Sequence, residues 1–191
     1  MHRKPLLDLL ERYLERNPDE RISVDHVRQF VRANPDCFLR SCLDGHLTAS
    51  AWIVSHDYTS FLLTHHAKLG RWLQLGGHAD GSTDLAAVAL REAREESGMQ
   101  AFTLAASDDV VLPFDVDVHL IPARGEEPAH LHHDVRYLLV AARDQELRIS
   151  SESLDLRWFP RLRAGELLEG ESLKRMARKL ERRVHDAGPL S

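Results

Sequence analysis

The stretch GHADGSTDLAAVALREAREESGM, Gly77–Met99, decides how this chain is read. From about Asp84 to Ser97 it predicts a strong helix. Thr83 or Ser82 is placed to cap that helix, and Asp84 favours its positive N-terminal end. Gly98 suits the left-handed residue just past the C-terminus. At about 100° per residue, Glu92, Glu95 and Glu96 fall within roughly 100° of one another. Ala86, Leu90, Ala93 and Ser97 form a narrow wedge on the other side, small enough to let the helix press close to a sheet. The carboxylate face is then expected to look outward or into a cleft. Three carboxylates on one face repel by a few tenths of a kcal/mol per i,i+4 pair, and cations would offset this. Mg²⁺ is hard, takes oxygen ligands and commonly bridges carboxylates to substrate phosphates. Two such ions would polarise a phosphorus centre and lower the pKa of an attacking water. The plainer reading is a solvated acidic face balanced by Arg91 and Arg94. The preceding loop, Leu75–Gly81, favours the first. Gly76, Gly77 and Gly81 let backbone approach a ligand, and the loop feeds a helix N-terminus, where anions are favoured.

Working outward, residues 4–17 read as a helix with Leu6, Leu7, Leu10, Tyr13 and Leu14 at helical spacing. Ser23 is a candidate N-cap for a second helix with Val24, Val27, Phe30 and Val31 as its apolar stripe, stopped by Asn34-Pro35. Strands are expected at about 47–55 and 59–64, with Asp57-Tyr58 as the turn, and a short third strand at Trp72–Leu75. Beyond the central helix, strands are expected near 101–105, 114–121, 135–142 and 155–159, with Gly125–Pro128 as a break. The tail, 166–185, reads as one or two helices rich in Arg and Lys. Strands mixed with a few helices, without regular alternation, favour an α/β sandwich over a doubly wound sheet. The expected division is a helical hairpin extension at 1–44 and a main domain at 45–191.

Composition narrows the class. The chain has 191 residues, 43% hydrophobic and 29% charged, which suits one globular domain with a small appendage. The formal net charge is −5, so a broad nucleic-acid-binding face is not expected. An acidic protein that handles phosphates must supply positive charge locally, as bound metal ions would. The two cysteines, Cys37 and Cys42, make a disulfide framework implausible and point to a reducing cytoplasm. No apolar run is long enough to span a bilayer, and the N-terminus does not read as a signal peptide.

The central stretch resembles the Nudix box, G-x5-E-x7-R-E-U-x-E-E-x-G-U, with U a bulky aliphatic residue. Gly77, Arg91, Glu92, Glu95, Glu96, Gly98 and Met99 match at the right spacing. Thr83 stands where the pattern has glutamate, and Ala93 is a small stand-in for the aliphatic position. The resemblance implies a Nudix-type α/β/α sandwich with a mixed sheet, preceded here by the N-terminal helical extension, and Leu156–Pro160 is similar to its late strand. It implies a Mg²⁺-dependent (or Mn²⁺-dependent) hydrolase of a diphosphate linkage in a small, nucleotide-like substrate. Glu95 and Glu96 would be the principal metal ligands and Glu92 a further ligand or the group that activates water. The Gly76 carbonyl would be another contact. Arg91 would orient the glutamates, with Asp80 or Asp84 replacing the pairing lost at Thr83. Family members are often dimers, so a homodimer is compatible with the resemblance. A non-catalytic nucleotide sensor is the alternative, and a Nudix-fold isomerase is disfavoured because both cysteines precede the first core strand.

Two polar clusters complete the list of candidates. Asp115, Asp117 and His119 alternate on one face of a strand, and His130-Leu131-His132-His133-Asp134 opens the next. If the two strands pair, these groups converge, as a fourth metal ligand, a general base or a phosphate contact, or as the wet side of a half-exposed sheet. Gly77, His78, Asp117, His119 and Asp134 are the candidate substrate contacts. His65-His66 sits at a strand end and reads as loop surface. Trp72, Phe114, Tyr137 and Trp158 are candidates to stack on a base, although such residues are more often core.

Overall fold

The computed structural model describes residues 2–106, 110–125, 128–151 and 153–186. In chain order the helices are α1 (Lys4–Arg16), α2 (Arg21–Ala33), α3 (Leu85–Ser97), α4 (Ala164–Leu167) and α5 (Glu171–Asp186). The strands are β1 (Gly45–Val54), β2 (Ser60–His66), β3 (Arg71–Leu73), β4 (Leu75–His78), β5 (Phe102–Leu104), β6 (Asp115–Ile121), β7 (His130–Ala141) and β8 (Ser153–Pro160). Hydrogen bonding orders them β3-β2-β1-β7-β5, with β4 on β1, β6 on β7 and β8 on β2.

The chain divides into two compact units. The first comprises Met1–Ser50, Gly76–Ala89 and Ala106–Tyr137. Here the apolar spacing of α1 and α2 becomes two buried stripes: Leu6, Leu10, Tyr13 and Leu14 on one, Val24, Val27, Phe30 and Val31 on the other. Ser23 does not cap α2. A 3-10 turn at Pro18–Glu20 runs straight into the helix, which therefore starts three residues earlier, at Arg21. Helix α2 lies against β6. Strand β6 pairs antiparallel with β7, placing Asp115 opposite Arg136, Asp117 opposite Asp134 and His119 opposite His132.

The second unit comprises Ala51–Leu75, Leu90–Ala105 and Leu138–Ser191. Strand β2 is central to it, pairing antiparallel with the end of β1, with β3 and with β8. Trp52 stacks on Phe61 at 4.9 Å, and Phe61 on Phe159 at 5.9 Å. His65 and His66 stand at a strand end, as expected, but are strand rather than loop surface: they end β2, paired with Trp72 and Arg71 of β3. Asp57-Tyr58 forms the expected turn, with Asp57 accepting from the Ser55 hydroxyl and the Thr59 amide. The short strand expected at Trp72–Leu75 is two strands, β3 and β4, separated by Gln74. The tail forms α4 and α5, parted by Gly170 at φ +79°. The break expected at Gly125–Pro128 falls partly outside the described residues.

Candidate functional site

Helix α3 begins with an aspartate cap. The Asp84 carboxylate accepts the Ala87 amide at 3.0 Å, so Asp84 does the work expected of Thr83 or Ser82. Asp84 directly precedes the first helical residue, Leu85, and its carboxylate meets the third helical amide. Gly98 ends the helix at φ +75°. A Cβ there would also stand 2.6 Å from that of Arg148, so both conformation and space call for glycine.

The inward face of α3 is Leu85, Val88, Ala89, Ala93 and Ser97, whereas Ala86 and Leu90 are only half-buried. This corrects the expected wedge and changes the meaning of the glutamates. Glu92 and Glu96 lie about 20° to either side of Leu85 on the helical wheel. They continue the buried face rather than oppose it. The Glu92 side chain is 16% exposed and that of Glu95 64%, with Glu96 half-buried. Within the helix Arg91 donates to Glu92 at 2.6 Å and stands 4.0 Å from Glu95. Asp80 accepts two bonds from Arg40, at 2.7 and 3.1 Å, and Asp84 is the cap, so both candidate substitutes for the box glutamate have other work. Three carboxylates one turn apart, recessed to different depths, offer only oxygen donors and fit Mg²⁺ or Mn²⁺.

The segment before the helix is more regular than expected, and Gly76 has a packing role in it. Leu75–His78 is strand β4, not loop. A Cβ on Gly76 would stand 2.7 Å from the Ala49 carbonyl oxygen and the Ser50 Cα. Gly76 is therefore required by the close approach of β4 to β1. The turn that follows places Asp80 and Gly81 at positive φ.

In the first unit a polar layer occupies the sheet. Every residue of β1 is buried, including His46, Thr48 and Ser50, which alternate with Leu47 and Ala49. Arg136 is 2% exposed. Its Nε donates to Asp134 at 2.7 Å, and its terminal nitrogens to Asp115 at 3.1 Å and Asp117 at 3.0 Å. Asp134 also accepts from Thr48 at 3.0 Å and from Ser50 at 2.9 Å. Burial alone would lower the pKa of Arg136, but Asp134, Asp115 and Asp117 outweigh it and raise it. The expected convergence of β6 and β7 thus occurs around a cation, in the core. Asp134, 1% exposed, can reach a substrate only through the groups it positions.

Histidines occupy the other end of the layer. The His46 ring centroid is 4.9 Å from those of His78 and His130 and 4.8 Å from that of His132. His119 lies 5.5 Å from His132, ring to ring, and its Nδ1 is 3.3 Å from Asp117. Burial, then the neighbouring imidazoles, push the pKa of His132 down to about 2, which keeps it neutral. His133 points elsewhere, stacked on Phe30 at 3.8 Å. Sequence reasoning missed His46, Thr48, Ser50 and Arg136. The signal was the two-residue spacing of His46, Thr48 and Ser50, three polar groups alternating with the apolar Leu47 and Ala49.

Of the proposed base-stacking residues, Tyr137 is 2% exposed and belongs to the core. Trp72 meets Phe159 edge-on and carries the Arg157 guanidinium 5.4 Å from its ring centroid. Cys37 and Cys42 are buried free thiols, pushed up by burial to about 11.

Comparison with known proteins agrees with this anatomy. The sequence model of the NUDIX domain family matches residues 45–180. Similar solved structures include a NUDIX family hydrolase from Clostridium perfringens, 22% identical, covering 73% of this chain and 98% of that one with a TM-score of 0.58. An Ap4A hydrolase from C. elegans is 18% identical, covering 73% and 98% with a TM-score of 0.57. RenU, a Nudix hydrolase from M. smegmatis, is 19% identical, covering 77% and 90% with a TM-score of 0.54. No curated protein matches the chain. The chain belongs to the NUDIX domain family. Its enzyme class is that of the Nudix pyrophosphohydrolases, and its fold is the mixed α/β Nudix fold with helices added at the N-terminus.

Proposed function

We propose that this protein hydrolyses a diphosphate linkage in a nucleoside diphosphate derivative, with Mg²⁺ or Mn²⁺ held by Glu92, Glu95 and Glu96 and by the Gly76 carbonyl. The carboxylate ridge of α3, inside a segment that matches the family, carries the reading. The bound ion would polarise the phosphorus centre and supply a water of lowered pKa. Glu95, exposed and at the edge of the ridge, and Glu96 hold the ion. Glu92 is recessed, held by Arg91 at 2.6 Å, and either completes the ligand set or accepts the proton of the attacking water. Arg91 is a positioning residue that fixes the carboxylate orientation. Gly77, His78, Asp117 and His119 contact the substrate, and Asp134 supports them through Arg136.

The similarity to an Ap4A hydrolase supports a nucleotide substrate. On this reading the hydrolase domain is 45–191 and 1–44 its extension, and a family match over residues 45–180 supports it. Two buried free thiols support a reducing, cytoplasmic setting. Among the described residues no helix is long and apolar enough to cross a membrane.

The test is turnover of a panel of nucleoside diphosphate derivatives with and without Mg²⁺, beside the Glu95→Gln, Glu96→Gln double variant. The expected outcome is metal-dependent release of phosphate-bearing products, reduced at least about 100-fold in the variant. Nucleotide binding without turnover across the panel would favour a sensor instead. Equal rates in parent and variant would overturn the metal assignment.

A further inference from the structure

We propose that His46, His130 and His132 form a second metal site, selective for a borderline transition-metal cation such as Zn²⁺ and chemically distinct from the carboxylate ridge of α3. One ring nitrogen from each of the three histidines lies within 4.8 Å of the other two. His46 stands at the start of β1, and His130 and His132 alternate on β7, so both strands aim imidazoles at one point. Zn–N bonds of about 2.0–2.1 Å in a tetrahedral site place nitrogens about 3.3 Å apart. From the observed spacing, each ring needs to move less than about 1 Å, within reach of a small side-chain rotation.

The tautomers suit a ligand set. His130 Nδ1 lies 2.9 Å from the Pro128 carbonyl oxygen. That carbonyl can only accept, so Nδ1 carries the proton and Nε2 the lone pair. This is the outer-shell arrangement of a metal-binding histidine. The Nε2 of His132 is buried and has no hydrogen-bond partner among the described residues. A buried imidazole nitrogen without a partner is destabilising, and a metal ion would give it one. His78, with its ring centroid 5.1 Å from that of His132, is placed to supply a fourth ligand or to orient a bound water. Nitrogen ligands select against Mg²⁺, which prefers oxygen, so the two sites can fill independently.

The experiment uses the full chain, stripped with chelator and titrated with Zn²⁺ by calorimetry in excess Mg²⁺. One Zn²⁺ per chain is expected, with unchanged affinity in the Glu95→Gln, Glu96→Gln variant. In His132→Ala the loss should exceed the roughly 10–100-fold typical of an outer-shell change. X-ray absorption of the unmodified protein with Zn²⁺ bound should show at least three imidazole nitrogens at about 2.0–2.1 Å and no sulfur. This second measurement stands even if His132→Ala does not fold. Absence of stoichiometric Zn²⁺ binding, an oxygen-dominated absorption spectrum, or binding lost in the glutamine variant would each overturn the proposal.

Discussion

Arg136 shows what single residues contribute to this fold. Its buried guanidinium faces the buried Asp115 and Asp134 and the partly exposed Asp117. Removing one partner of a buried ion pair leaves uncompensated charge and costs about 3–5 kcal/mol, more than the pair itself contributes. Arg136→Met keeps the bulk and removes the charge. It is expected to lower stability by that amount, read as a shift in the urea midpoint. A midpoint unchanged from the parent would mean that the carboxylates take up protons at no cost. The residue was legible in sequence only as one polar position inside a strand. Of its three partners, Asp134 lies two residues away on β7 and Asp115 and Asp117 lie on β6, so the network is complete only once those strands pair in register.

At the scale of the element, α3 was the most legible part of the chain. Its limits, its Gly98 terminus and the shared ridge of Glu92, Glu95 and Glu96 all follow from local rules of spacing and capping. Two details did not. The cap is Asp84 rather than its neighbours, and the buried face is rotated so that Glu92 and Glu96 extend it. A wheel drawn from sequence lacks an absolute orientation. Small residues such as Ala86 and Ala93 carry too little hydrophobic free energy to set one, whereas Leu85 and Val88 at the first turns do. Asp84→Ala should cost about 1 kcal/mol through loss of the Ala87 amide bond, measured by chemical denaturation. An effect as small as that of Thr83→Ala would contradict the cap assignment.

For the whole molecule, the N-terminal helices are the part whose role the sequence left open. Residues 1–50 belong to the same compact unit as β6 and the first part of β7. Phe30 covers His133, and α2 lies against β6. An extension attached only through its linker would be dispensable, and this one contributes to a core. Deleting residues 1–44 is expected to abolish the cooperative thermal transition seen by calorimetry. A truncated chain that melts cooperatively near the parent temperature would show that 45–191 folds alone.

What the sequence determined by itself is local: helix and strand periods, the glycine that ends α3, the carboxylate ridge, and through these the family and its chemistry. Each depends on residues within a few positions of one another, where backbone geometry alone sets distances. Tertiary structure decided what lies between distant segments. It made Gly76 a packing residue against Ser50, gathered Asp115, Asp117 and Asp134 around Arg136, and brought His46 together with His130 and His132. Apart from Asp134, two residues from Arg136, those partners are separated by 19 to 86 residues in sequence, and only strand register, set by burial of one face against the core, brings them within a few ångströms.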